Sequence, residues 1–251
     1  MSFEELRSWA VSEWSRVREE EETPYILVGA ATCGRAAGAL STLEAFEQEL
    51  KRQGIEARVI QTGCMGSCSL EPIVAIKKSD MPLICYSGVT EELAVDLVRN
   101  YLVNDDPCLE IALGTVEWDD DKGAYVPEME RFEHEQRLLL RRCGYIDPAN
   151  IGDYIADGGY GSLDKALGMS PKAIIKAIED SGLRGKGGAG FPTGRKWELA
   201  RKAPGQPKYV VCNADEGDPG AFMDRVLLES DPHQAIEGMI TRHDCVLPIN
   251  G

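Results

Sequence analysis

The chain has 251 residues, 43% of them hydrophobic, and a formal net charge of −15. That length and apolar content suffice for one or two domains with real cores, while the acidity excludes a general nucleic-acid surface, which needs a basic face against phosphate. No apolar run nears the ~20 residues that cross a bilayer, and the start, MSFEELRSWAVSEWSRVREEEE, lacks the basic beginning and apolar middle of a signal peptide, so a cytoplasmic protein is expected.

Taken in chain order, residues 2–20 read as one amphipathic helix. Ser2 and Glu5 fit a capping box, and Phe3, Leu6, Ala10, Trp14 and Val17 fall near one stripe. YILVGA then reads as a short buried strand, and STLEAFEQELKRQG as a helix with a second capping box at Ser41 and Glu44 and a stop at Gly54. EARVIQTG, PIVAIKK and PLICYSGV supply three more strands, the last two joined by the Ser79–Asp80–Met81 turn, and TEELAVDLVRNYL closes the unit as a helix. The order βαβββα, with a parallel first crossover, predicts a small sheet covered by helices in the manner of thioredoxin-like folds.

Residues 104–131 are acidic and rich in turn formers, and read as a linker. EQRLLLRRCG reads as a helix, and so does SLDKALGMSPKAIIKAIEDSG, broken at Gly168 and restarted with Ser170 as N-cap and Pro171 at the first helical position. A glycine loop follows, then KYVVCNAD, read as a buried strand. The expected organisation is an N-terminal helix (1–22), a thioredoxin-like domain (23–103), the linker (104–131) and a second domain (132–251), an α/β (α+β) protein throughout.

Eight cysteines are present, and in a chain of this kind the close pair CMGSC points to metal or redox chemistry rather than disulfides. Cys64 and Cys68 sit in a turn with two small residues directly after a strand, which can aim thiolates and backbone N–H groups at one point, as an iron–sulfur cluster requires. Cys33 lies just past another strand, and in a parallel βαβ pair both strand ends open on one edge. Three thiols can converge there. Residues 24–102 resemble the thioredoxin-like [2Fe–2S] ferredoxin domain of complex I-type dehydrogenases. That family usually carries C-x4-C followed by C-x3-C, and Gly38 stands where its second cysteine would be. Cys85, at the end of the hairpin's second strand, is the expected substitute, giving Cys33, Cys64, Cys68 and Cys85 as the cluster ligands. An adapter with free buried thiols is the alternative.

SGLRGKGGAGFPTGRKW begins at Ser181. From Ser181 to Tyr209 seven basic residues face one acid, Glu198, and from Val210 to Asp231 six acids face Arg225. A basic glycine-rich loop lets backbone amides approach a phosphate while lysines neutralise it, although this one follows a helix, so neither the Rossmann nor the P-loop pattern applies. On residues alone a phosphate-bearing cofactor and a plain structural turn both stay open.

Together with VVCNADEGDPGAFMDRVLLESDPHQAIEGM and the lead-in LRRCGYIDPANIGDYIADGGYGSLDKAL, the loop resembles the flavin site of the NADH-binding flavoprotein subunit of complex I. It is also similar to the related subunits of soluble hydrogenases and electron-bifurcating complexes. The likeness spans about residues 132–240. It implies an FMN loop of Gly185, Lys186, Gly187, Gly188, Ala189 and Gly190, with Lys196 near the phosphate or ribityl chain. Asn213, Asp215 and Glu216 are implied as flavin and sugar-chain partners, and Phe191 and Glu216 as facing NADH. Hydride transfer stacks the two rings at roughly 3–3.5 Å, so thin walls suit it. Implied partners are other iron–sulfur and flavin subunits of a multisubunit redox complex, with any [4Fe–4S] cluster on those partners or on further sequence of this protein. The family continues beyond IEGM, so TRHDCVLPING suggests a shortened or split flavoprotein. A non-catalytic electron-transfer or docking module is the second functional reading.

Overall fold

The computed structural model describes residues 2–18, 23–79, 81–119, 124–129, 132 and 134–246. Two compact units make up the chain: one comprises Ser2–Ala156 and Asp215–Pro232, the other Asp157–Ala214 and His233–Gly251. The units cut across the expected domain boundaries.

The first unit starts with helix α1 (Phe3–Arg18). Its capping box forms reciprocally: Ser2 N donates to Glu5 Oε2 at 2.7 Å, and Glu5 N to Ser2 Oγ at 3.2 Å. The expected extension to residue 20 lies outside the described residues. Arg18, buried, closes the helix onto its unit by donating to the Tyr145 carbonyl at 2.7 Å and stacking over Trp14 and Tyr25.

Strands β1 (Tyr25–Gly29), β2 (Arg58–Thr62), β3 (Val74–Lys77) and β4 (Leu83–Tyr86) appear where the hydrophobic runs predict them. Helices α2 (Thr32–Ala36) and α3 (Ala39–Gln53) connect β1 to β2, and α4 (Glu91–Leu97), capped by Thr90, runs on to Val103 through wider turns. The β1–β2 pair is parallel, as the crossover predicts, and β1, β3 and β4 pair antiparallel. Ser41 is inside α3 rather than at its cap, because Gly38, at φ 102°, turns the chain into the helix three residues earlier.

The sheet does not stop at β4. Residues 104–131, expected as a linker, carry β5 (Ala112–Asp119) and β6 (Ala124–Glu128), which extend it in the order β2-β1-β3-β4-β5-β6. A composition of acids and turn residues hid them, since β5 carries its apolar residues at wide intervals.

Successive side chains on a strand point to opposite faces, and this decides the core. Ile26, Val28, Val74, Ile76, Ile84 and Tyr86 face one side, where Phe46 and Leu50 of α3 and Ala94 and Leu97 of α4 cover them. Tyr25, Leu27, Ile73, Ala75, Leu83 and Cys85 face the other, under Met129, Phe132 and Tyr145. The segment EQRLLLRRCG, expected to be helical, covers part of this region as bends and turns. Its arginines are held inward rather than solvated: Arg137 donates to the Met65 carbonyl at 2.7 Å, and buried Arg142 stacks on Tyr154 and pairs with Asp231 at 3.3 Å. Helix α5 (Ile151–Ala156) completes this part, and α9 (Met223–Ser230) returns to the same unit.

The second unit is helical. α6 (Gly161–Leu167) and α7 (Pro171–Asp180) are separated at Gly168, with Ser170 Oγ accepting from Ala173 N at 3.3 Å, as predicted. Helix α8 (Thr193–Lys202) packs against α7 through Gly194, where a Cβ would come 2.4 Å from Glu179 Cγ and 3.0 Å from the Ile175 carbonyl oxygen. From α10 (Pro232–Val246), Glu237 accepts from the Tyr160 and Leu163 amides at 2.9 and 3.0 Å and holds the start of α6. The predicted strand KYVVCNAD is an extended segment without ladder partners among the described residues; Tyr209 and Val211 are 77% and 73% exposed. A strand needs a neighbour for its backbone groups, and the periodicity of a sequence does not supply one. The terminal VLPING lies outside the described residues. Among the described residues no helix is long and apolar enough to cross a membrane.

Candidate functional site

In the first unit, the parallel register sets Gly29 beside Thr62, and Ala30 N donates to the Thr62 carbonyl at 2.9 Å. The two strands therefore release their chains side by side. The β1 exit enters α2 with Cys33 near its start, and the β2 exit passes through Gly63 to Cys64. Gly66, at φ 96°, folds the loop back so that its amide donates to Cys64 Sγ at 3.1 Å and Cys68 arrives within 3.9 Å of Cys64. The sulfurs of Cys33, Cys64 and Cys68 all lie within 4.8 Å of one another.

Helix α9 backs this loop. A Cβ on Gly63 would sit 2.1 Å from Ser230 Oγ, so only glycine lets the two meet, and Ser230 Oγ donates to the Cys64 carbonyl at 3.1 Å. Arg225 reaches Cys68 Sγ at 3.8 Å and brings a positive charge to the thiols. The thiols share protons: a hydrogen bond with Cys64 pulls Cys33 down to about 6, the same bond and burial push Cys64 up, and burial raises Cys68. One thiolate thus forms near neutral pH at a point where three soft ligands converge, a donor set suited to iron–sulfur or zinc chemistry.

Cys85 does not join them. It sits mid-strand opposite Ala75 on the second face of the sheet, fully buried among apolar side chains, and burial pushes it up to about 12. The expectation that β4 returns it to the cluster edge is corrected by the period-2 alternation, which aims it into the core. Two residues near the thiols escaped the sequence reading. Glu71 lies 3.8 Å from Cys33 Sγ, and Cys143 packs in the apolar cluster around Cys64. The signal for Glu71 was a lone acid inside the apolar run SLEPIVAI.

In the second unit the glycine loop is a short hairpin closed by Gly185 N donating to the Phe191 carbonyl and Thr193 N to the Leu183 carbonyl, both at 2.9 Å. Gly188 and Gly190 adopt φ 94° and 60°, conformations that favour glycine. Gly187 does not, and nothing lies within 4 Å of a Cβ built there. The protein's own packing therefore gives no reason for glycine at 187. The loop borders an open cavity of about 450 Å³, lined by Gly185, Gly187, Ala189, Gly190, Phe191 and Lys196 among others. Trp197 both borders the cavity and packs on the helical core of this unit.

Lys186 and Gly188 belong to the same hairpin without lining the cavity. Asn213 follows in the extended segment, and Asp215 and Glu216 belong to the first unit. The Glu216 carboxylate accepts from the Asp224 and Arg225 amides at 2.9 and 3.3 Å and caps α9.

Residues 178–247 match the Nuo51 FMN-binding domain, the complex I 51-kDa type. Curated relatives include the NADP-reducing hydrogenase subunit HndC of Solidesulfovibrio fructosivorans, 55% identical over 103 residues, 41% of this chain and 21% of that protein. An NADH-quinone oxidoreductase subunit of Aquifex aeolicus is 53% identical over 103 residues, 41% of this chain and 24% of the relative. The chain thus spans about a fifth to a quarter of these relatives' length. Among solved structures, a thioredoxin-like [2Fe–2S] ferredoxin from Aquifex aeolicus aligns over 38% of this chain and 93% of its own, at 17% identity and TM-score 0.33. An NAD+-reducing [NiFe]-hydrogenase aligns over 97% of this chain and 43% of its own, at 21% identity and TM-score 0.32.

Proposed function

We propose that this chain is the NADH-oxidising flavoprotein part of a cytoplasmic multisubunit oxidoreductase, and that its glycine hairpin binds the phosphate end of FMN. The observation that carries the reading is Gly187: its side-chain space is vacant, it borders the cavity, and it falls within the segment matched to the Nuo51 FMN-binding domain. When bound, FMN supplies a two-electron acceptor that releases electrons singly. The chain's part is placement. Backbone amides of the hairpin meet the phosphate, Lys196 balances its charge, and Phe191 and Trp197 give the ring system apolar walls. Asn213 serves as a partner of the flavin and its sugar chain, while Phe191 lies towards NADH.

The three thiols fit the ligand type of a [2Fe–2S] cluster, held by Cys33, Cys64 and Cys68, as the first electron acceptor within the chain or a way station to other iron–sulfur subunits; any [4Fe–4S] cluster belongs to those partners or to further sequence of this protein. The second reading, an electron-transfer or docking module without flavin chemistry, draws on the same convergence of thiols, which does not depend on the cavity. Anaerobic addition of NADH to the complex purified through this chain separates the two. The proposal expects the flavin absorbance to bleach. A complex that carries iron but shows no flavin, or flavin indifferent to NADH, supports the docking reading and removes the proposal.

A further inference from the structure

We propose that Glu71 is the fourth protein ligand of the metal centre on Cys33, Cys64 and Cys68. The inference rests on the reading of those three cysteines as an iron–sulfur site and adds to it the residue that completes the set.

Glu71 is only 8% exposed, three residues beyond Cys68. Among the described residues no arginine or lysine pairs with it. Its Oε2 accepts the Ile73 amide at 2.8 Å, and its Oε1 faces Cys33 Sγ at 3.8 Å. A buried carboxyl without a cation is costly to ionise, and coordinating a metal is one way to offset that cost. The oxygen not taken by the Ile73 amide is the one turned to the Cys33 thiol. Room for the carboxylate is made by glycines: a Cβ on Gly29 would come 2.9 Å from Glu71 Oε2, and one on Gly34 3.4 Å from the same atom.

Two of the separations among these four groups bear on metal binding. Cys64 and Cys68 stand 3.9 Å apart, and Cys33 and Glu71 Oε1 3.8 Å. With metal–sulfur bonds of about 2.3 Å and metal–carboxylate bonds of about 2.0–2.2 Å, two ligands on one tetrahedral metal stand roughly 3.5–3.8 Å apart. Each pair has the span of a chelate on one metal. Neither position that the sequence offered for the fourth ligand supplies one. Gly38 has no side chain and holds a left-handed φ of 102° to start α3, and Cys85 points into the core.

The test uses the full chain, produced anaerobically with iron, and compares wild type with Glu71→Gln and Glu71→Ala. Iron and acid-labile sulfide, visible absorption and the EPR g-values of the reduced protein are read together, with thermal melting as the fold control. Glu71→Gln keeps an oxygen for the Ile73 amide and removes the anionic ligand. The expected result is wild type holding iron and sulfide, with both variants melting near wild type but losing at least about tenfold of the chelator-resistant iron or shifting the g-values of what remains. Wild type with iron, and a Glu71→Gln protein equal to it in iron content and g-values, overturns the ligand assignment alone. A wild type without iron and sulfide overturns the reading of the three cysteines beneath it.

Discussion

The first unit buries apolar side chains on both faces of a six-stranded sheet, whereas the second has a small helical core and leaves Tyr209, Val211 and Phe191 exposed. The chemistry follows this difference. The three converging thiols are set on strand ends and braced by α9, so their geometry is inherited from the sheet. The glycine hairpin instead takes its shape from glycine torsions and a few backbone bonds, and it borders an open cavity. One region achieves function by rigidity and the other by vacancy.

Breaking the rigid region has the largest expected effect. Cys64→Ser removes a sulfur ligand, and iron per chain, measured by elemental analysis, falls to below about a tenth of wild type, because two of the three thiols no longer enclose the metal. Next comes Gly63→Ala, whose Cβ would collide with Ser230 at 2.1–2.4 Å. Overpacking of this kind costs about 2–3 kcal/mol, read as a lowered melting temperature together with loss of iron. Gly187→Ala is the opposite experiment. With open space around the new methyl, melting stays equal to wild type or rises slightly, while FMN affinity measured by flavin fluorescence weakens roughly tenfold, about 1.4 kcal/mol. A Gly187→Ala protein that binds FMN normally would erase the contrast between the regions.

The smallest effect concerns acid stability of the first unit. Glu49 in α3 accepts hydrogen bonds from Gln53, Arg99 and Arg52, which hold its carboxyl down at about 2. A depressed carboxylate adds stability that is complete above its unfolded value near 4.5 and is lost as pH falls towards 2. Melting of wild type therefore drops between pH 4.5 and 2 more steeply than that of Glu49→Gln, which is less stable above that window and converges with wild type below it.

Much of the first unit was legible in the sequence. Continuous apolar runs such as YILVG and VAIK marked the strands, Ser2–Glu5 and Ser170–Pro171 marked helix starts, and the strand-end positions of Cys33 and Cys64 marked their meeting point. The failures share a cause. β5, β6 and the course of residues 136–144 depend on what the chain pairs with at long range, and inward arginines such as Arg142 look like surface residues in a pattern. Cys85 was misjudged because a strand end was assumed where the alternation aims it at the core. The role of Glu71 could not be read from spacing, since a carboxylate becomes a ligand only through burial. In the second unit, Pro171 and the glycines of the hairpin were readable because backbone torsion is a local property.

The central claim is that the hairpin holds a phosphate. It is tested most directly by titrating the full chain with FMN and with riboflavin, which differ only in that group, in wild type and in Lys196→Ala. The account predicts that wild type prefers FMN by at least about tenfold and that Lys196→Ala narrows the preference while leaving riboflavin affinity unchanged. Equal affinity for the two flavins in wild type, or a preference untouched by losing Lys196, would contradict it.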